Sequence, residues 1–110
     1  MKRALAAISP LLFTLTAHAA VLRITVNDMI HPISDEYVGR ALSEAARAHD
    51  SAVVIDLSTP GGLLDSTRSI VEKLMTSPVP VIIYVAPAGS RAASAGFFLL
   101  EAAEIGRAHV

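Results

Sequence analysis

Ala52-Val53-Val54-Ile55-Asp56-Leu57-Ser58-Thr59-Pro60-Gly61-Gly62-Leu63-Leu64 is the stretch on which the fold turns. Its first six residues are a nearly continuous, β-branched apolar run, the pattern of a strand buried on both faces of a parallel sheet. Thr59-Pro60-Gly61-Gly62 closes that strand, and Leu63, Leu64, Ile70, Val71 and Leu74 then mark an amphipathic helix ending near Thr76. Upstream, Val21 to Asn27 alternates as a strand. After Pro32, Ser34 can cap a helix from about Asp35 to His49, with Val38, Ala41, Leu42 and Ala45 on its apolar face. Downstream, Pro78 and Pro80 bracket the entry to a strand from Val79 to Val85, and the turn Ala86-Pro87-Ala88-Gly89-Ser90 leads into a helix from about Ala93 to Ala103. Strand and helix alternate three times, which predicts an α/β fold of repeated β-α units with parallel strands and right-handed crossovers.

Composition narrows the function classes. The chain has 110 residues, 53% hydrophobic and 17% charged, so it collapses into one small domain rather than staying disordered. A net charge of -1, with no Lys/Arg run, gives nucleic acid nothing to hold. The absence of cysteine removes disulfides, thiol catalysis and Cys-based zinc sites together. His31 and His49 flank the first helix without the further ligands a metal needs, so they read as loop or surface residues, and no metal or cofactor is expected.

Both ends stand apart from the domain. Met1-Lys2-Arg3, the apolar run from Ala4 to Thr16 and Ala17-His18-Ala19 make a signal peptide at residues 1–19, cut after Ala19. An uncleaved anchor is the alternative, disfavoured because the run is shorter than the roughly 20 residues of a membrane span. Either way the remainder is exported. Glu104-Ile105-Gly106-Arg107-Ala108-His109-Val110 resembles the translation of a sequencing adapter, against the alternative of an ordinary helical C-terminus. Residues 20–103 are then the genuine domain, with six basic and nine acidic side chains and a marginal core.

Two loops leave the carboxyl ends of adjacent strands, Ser58 to Gly62 and Ala86 to Ser94, at the edge where parallel α/β sheets place their sites. Consecutive glycines let backbone approach a ligand and aim N–H groups at an oxyanion. Ala92-Ala93-Ser94-Ala95-Gly96 surrounds one hydroxyl with small side chains at a helix start, where the dipole favours negative charge. From the residues alone, Ser94 is either a nucleophile or a helix cap. The five residues also depart from G-x-S-x-G at Ala92.

Asp56-Leu57-Ser58-Thr59-Pro60-Gly61-Gly62-Leu63-Leu64, Ser77-Pro78-Val79-Pro80-Val81 and Gly89-Ser90-Arg91-Ala92-Ala93-Ser94-Ala95-Gly96 closely resemble the NfeD family of membrane-bound, ClpP-class serine proteases. More distantly they are similar to signal peptide peptidase A and the ClpP/crotonase fold. The resemblance spans about Val21 to Ala103 and implies a truncated ClpP/crotonase-like domain. It also implies a Ser-Lys dyad with Ser94 as nucleophile, and an oxyanion hole from the Gly61-Gly62 turn and Ala95, with Gly62 the favoured donor. The base it implies is a desolvated lysine downstream of the nucleophile helix. Lys73, the single lysine after the leader, lies upstream and reads as a partner for helix-face acids, so this piece is expected to be inactive.

By the same resemblance the intact product is a membrane-associated endopeptidase at the periplasmic face of the bacterial inner membrane. It would cleave apolar segments of membrane proteins, a stomatin-like partner among them, and form a homo-oligomer. Leu63, Leu64 and Phe97-Phe98-Leu99-Leu100 would line an apolar cleft or pack in the core. A non-catalytic oligomeric scaffold of the same fold is the competing reading. A crotonase-type acyl-CoA enzyme conflicts with export, and a dinucleotide site conflicts with Asn27-Asp28-Met29-Ile30-His31, which lacks G-x-G-x-x-G. Asp56 reads as a partnered structural carboxylate, and Arg91 as a brace for its loop.

Overall fold

The computed structural model describes residues 20–108; the signal peptide expected at residues 1–19 and the last two residues of the chain lie outside the described residues. The elements are β1 (Val21–Asn27), α1 (Pro32–Arg47), β2 (Ala52–Ser58), α2 (Leu64–Thr76), β3 (Val81–Val85), α3 (Ala95–Ala102) and β4 (Ile105–Ala108). The strands form one sheet in the order β1-β2-β3-β4, every neighbouring pair parallel. This is the expected α/β alternation.

Register fixes where the loops emerge. Asn27 lies opposite Ser58, and Leu57 opposite Val85, so β1, β2 and β3 end nearly level. The segments following all three therefore leave the sheet at one edge. A shift by one residue would turn every inward side chain outward, and the buried rows of the strands hold the alignment.

The strands differ from expectation in one respect. Instead of being buried on both faces, β2 and β3 alternate: Val53, Ile55, Leu57, Val81, Ile83 and Val85 are buried, while Ala52, Val54, Asp56, Ser58, Ile82 and Tyr84 are only partly covered. Apart from Val85, the buried row joins Val38, Leu42 and Ala45 of α1, Ile70 and Leu74 of α2 and Leu99 of α3 in a single core. The helices cover one face of the sheet, and nothing among the described residues covers the other. On that open face Arg23 clasps Asp56 with two bonds, Nε to Oδ2 at 2.6 Å and Nη2 to Oδ1 at 2.9 Å, so Asp56 is the partnered carboxylate anticipated. That carboxylate holds the Arg23 guanidinium above its ordinary pKa.

Helix ends show local chemistry that the sequence reading placed slightly off. α1 starts at Pro32, three residues before the expected Asp35, because His31 rather than Ser34 is the cap. His31 Nδ1 accepts from the Ile33 N–H at 3.1 Å, and Ser34 Oγ accepts from the His31 N–H at 2.9 Å, a reciprocal capping box. Proline at the first helical position loses nothing there. At the other end His49 takes φ 58°, its N–H reaching the Ala46 carbonyl at 3.2 Å while the Asp50 N–H reaches Ala45 at 2.9 Å. These are the two bonds of a Schellman stop.

α1 and α2 are joined by Lys73. Its Nζ donates to Asp35 Oδ1 at 2.6 Å, and its stem crosses Gly39, where an added β-carbon would lie 3.2 Å from Nζ. Lys73 does pair with a helix acid, on α1 rather than on its own helix. β4 has no counterpart in the sequence reading: Ile105 to Ala108, inside the tail read as foreign, extend the sheet beside β3. Strand pairing is made by backbone, but the slot beside β3 is not indifferent to side chains, since a β-carbon at Gly106 would lie 2.7 Å from the Leu100 carbonyl oxygen.

Candidate active site

Thr59, at the end of β2, is 1% exposed and holds the two candidate loops together. Its N–H donates to the Arg91 carbonyl at 2.7 Å, and its own carbonyl accepts from the Ala93 N–H at 3.1 Å, so Thr59 and Ala92 pair as a short parallel bridge beyond the sheet. Thr59 Oγ1 accepts from the Gly61 N–H and donates to the Gly61 carbonyl, both at 3.1 Å. A hydroxyl has one proton and two lone pairs, so both bonds can be made at once. The sequence offered Thr59 only as a strand terminator; an oxygen-bearing, β-branched residue directly before a Pro-Gly-Gly turn was the available sign.

A third loop completes the edge. Ile30, fully buried between β1 and α1, donates its N–H to the Gly61 carbonyl at 2.8 Å and accepts from the Leu63 N–H at 2.8 Å. The glycines consequently have separate reasons to be glycine. Gly61 has φ 125°, and a β-carbon there would lie 3.0 Å from Ser94 Cβ and 3.4 Å from Ser94 Oγ. A β-carbon at Gly62 would land on the Ile30 carbonyl oxygen. The room the sequence reading reserved for a ligand is in part taken up by the chain itself.

Ser94 stands against this turn in an unusual backbone conformation, φ 52° and ψ −110°, and is exposed. It occupies the cap position of α3, yet its side chain makes no capping bond. The cap reading therefore fails: the hydroxyl is held out of the helix in a conformation costly for a residue with a β-carbon. Behind it the turn is tight, since a β-carbon at Gly96 would meet Thr59 Cγ2 at 2.7 Å and Ala92 Cβ at 3.0 Å. Ala92 thus stands in the first-glycine position of G-x-S-x-G without obstructing the turn.

Of the three amides named for an oxyanion hole, the Gly61 N–H is already engaged by Thr59 Oγ1. Those of Gly62 and Ala95 have no hydrogen-bond partner among the described residues. Ala95 is the first residue of α3, where the helix dipole adds positive potential. Arg91 contributes its carbonyl to Thr59, but its exposed guanidinium has no partner among the described residues. The brace expected of it is made by backbone alone.

The apolar residues flanking the site divide. Leu99 is buried, whereas Leu63, Leu64, Phe97 and Phe98 are exposed, the two phenyl rings meeting edge to face at 5.9 Å between centroids. Leu64, Val71, Met75 and Phe98 line an open groove of about 470 Å³ between α2 and α3. Among the described residues no His, Asp and Glu group is placed to hold a metal, and no helix is long and apolar enough to cross a membrane.

Comparisons with known proteins point to one family. The membrane-bound protease PH1510 of Pyrococcus horikoshii is 35% identical over 91 residues, which are 83% of this chain and 20% of that protein. Two solved structures of the 1510-N membrane-bound stomatin-specific protease, one a serine-to-alanine mutant and the other a lysine-to-alanine mutant with a substrate peptide, superpose with a TM-score of 0.82. They are 30% and 32% identical to the chain, covering 84% of it and 44% and 42% of their own chains. ClpP1 from Listeria monocytogenes, as a mutant, shares the fold at a TM-score of 0.67 and 20% identity over 74% of this chain and 46% of its own. The chain thus spans a fifth of its curated relative and less than half of the solved domains. A family profile, that of the NfeD1b N-terminal domain, matches residues 20–108, and the ClpP-like chain belongs to that family.

Proposed function

We propose that the chain is the nucleophile-bearing part of a membrane-associated serine endopeptidase, with Ser94 attacking the scissile carbonyl and the Gly62 and Ala95 amides receiving the oxyanion. The observation that carries this reading is the exposed, uncapped Ser94 hydroxyl, held at positive φ against Gly61. Two preorganised donors at the developing charge are worth about 3 kcal/mol each in a site of this kind. The base is a lysine outside residues 20–108. Lys73, the one lysine among the described residues, is already bonded to Asp35, so the chain by itself is inactive. The serine and lysine replaced in the solved relatives support a Ser-Lys pair, and the stomatin-specific description of those relatives supports a stomatin-like, apolar peptide substrate.

Cleavage of the leader after Ala19, action at the periplasmic face of the inner membrane and assembly into a homo-oligomer belong to the same proposal. So does the adapter origin of residues 104–110. A fluorophosphonate applied to the intact gene product should label Ser94, and Ser94→Ala should abolish the labelling. Persistent labelling of the alanine form removes Ser94 from the chemistry. A protein that stays unlabelled yet still assembles with a stomatin-like partner is instead a scaffold of the same fold, the reading favoured by the exposed apolar groove between α2 and α3.

A further inference from the structure

We infer that Thr59 is a positioning residue for this site: its hydroxyl sets the glycine turn, and its backbone sets the nucleophile loop, so one residue fixes the spacing between the oxyanion donors and Ser94. The inference rests on the peptidase reading above and deepens it. Gly61 is held at its N–H and its carbonyl by the same Thr59 oxygen, and its carbonyl is held again by Ile30. On the other side Thr59 grips Arg91 and Ala93, the residues leading into Ser94, while its methyl lies against Gly96 in the first turn of α3. The glycine turn and the loop leading into Ser94 are therefore both anchored on this one buried residue.

The hydroxyl and the methyl have separable tasks. Without the hydroxyl, the Gly61 N–H is left buried and unpaired, and the peptide plane that presents the Gly62 N–H loses one of its two anchors. A donor misplaced by even a fraction of an ångström loses much of its value to an oxyanion, because preorganisation is the source of that value. Removing the methyl instead leaves both hydrogen bonds to Gly61 intact.

Thr59→Val and Thr59→Ser therefore divide the residue. The probe is a peptide boronate, whose trigonal boron accepts the Ser94 oxygen, with the hydroxyl proton passing to water, to give a tetrahedral anion with an oxygen where the oxyanion would sit. Binding to the intact gene product, which carries the proposed base lysine, is followed by boron NMR, with amide exchange at Gly61 as a second measurement. Thr59→Val should weaken the boronate by about tenfold or more and speed Gly61 exchange, whereas Thr59→Ser should stay within about twofold of the parent in both. Thr59→Val that leaves both unchanged, or Thr59→Ser as impaired as Thr59→Val, overturns the inference. If Thr59→Val does not fold, Thr59→Ala, which also lacks the hydroxyl, replaces it in the same comparison with Thr59→Ser. A boronate that binds the Ser94→Ala chain as well as the parent sinks the peptidase reading instead, and Gly61 exchange in Thr59→Val then tests the anchoring by itself.

Discussion

Gly61 and Gly62 adjoin in sequence but answer to different constraints, and their substitutions should differ accordingly. Gly61→Ala forces a β-carbon into positive φ and against Ser94, and should cost about 1–3 kcal/mol by chemical denaturation while lowering fluorophosphonate labelling of the intact protein. Gly62→Ala collides with the Ile30 backbone, which cannot yield as a side chain can, and should be the more damaging in a melt. From the sequence, two glycines in a strand-end turn promise close approach; what approaches is set by Ile30 and Ser94, about thirty residues away on either side, and no local pattern states that. His49 offers the reverse case. Holding positive φ at the end of α1, it should gain about 0.5–1 kcal/mol on replacement by glycine, read as a raised melting temperature. Asp28 gives a pH signature: the Met29 N–H, and after it the His31 ring, hold its carboxyl below the ordinary carboxylate range. Its contribution is thus fully present above the unfolded value and disappears as pH falls through the lowered folded one. Carboxyl NMR should place that midpoint below the midpoint of the same residue in the unfolded chain.

At the level of elements, the spacings of apolar side chains locate α1 and α2, the turn from Ala86 to Ser90 places α3, and β-branched runs locate β1, β2 and β3. Boundaries moved where capping used an unexpected group: a histidine ring nitrogen begins α1, although Ser34 carries the more familiar signal. The both-face burial expected of β2 failed for a different reason. A continuous apolar run says that side chains can be buried, while the neighbours that would bury the second face are supplied by other parts of a fold, and here the helices gather on one side. Ser94 was legible as a hydroxyl at a helix start, but its positive φ depends on the Thr59–Ala92 bridge and could not be read locally. The Lys73–Asp35 tie between α1 and α2 is partly exposed, so Lys73→Met should cost no more than about 1 kcal/mol in denaturation. In the intact protein it should leave Ser94 labelling unchanged; a collapse of labelling would make Lys73 the base after all.

For the molecule as a whole, the uncovered sheet face and the groove lined by Leu64, Met75 and Phe98 leave apolar surface in water. Patches of that kind drive association. The 110-residue chain should therefore sediment as a concentration-dependent mixture, and Met75→Glu, placing charge in the groove at a residue 71% exposed, should shift it toward monomer. No change in sedimentation would mean that the sheet face, rather than the groove, is the adhesive surface.

The hold that Ile30 keeps on Gly61 and Leu63 makes the first crossover a foundation for a turn that lies about thirty residues further along the chain. A protease nick between Asn27 and Ile30 would leave every reactive group covalently untouched and still let the Gly-Gly turn drift. The most vulnerable point of the proposed site would then lie in a short connector with no reactive side chain of its own in play, and damage there would be silent to any reagent that reads only the serine.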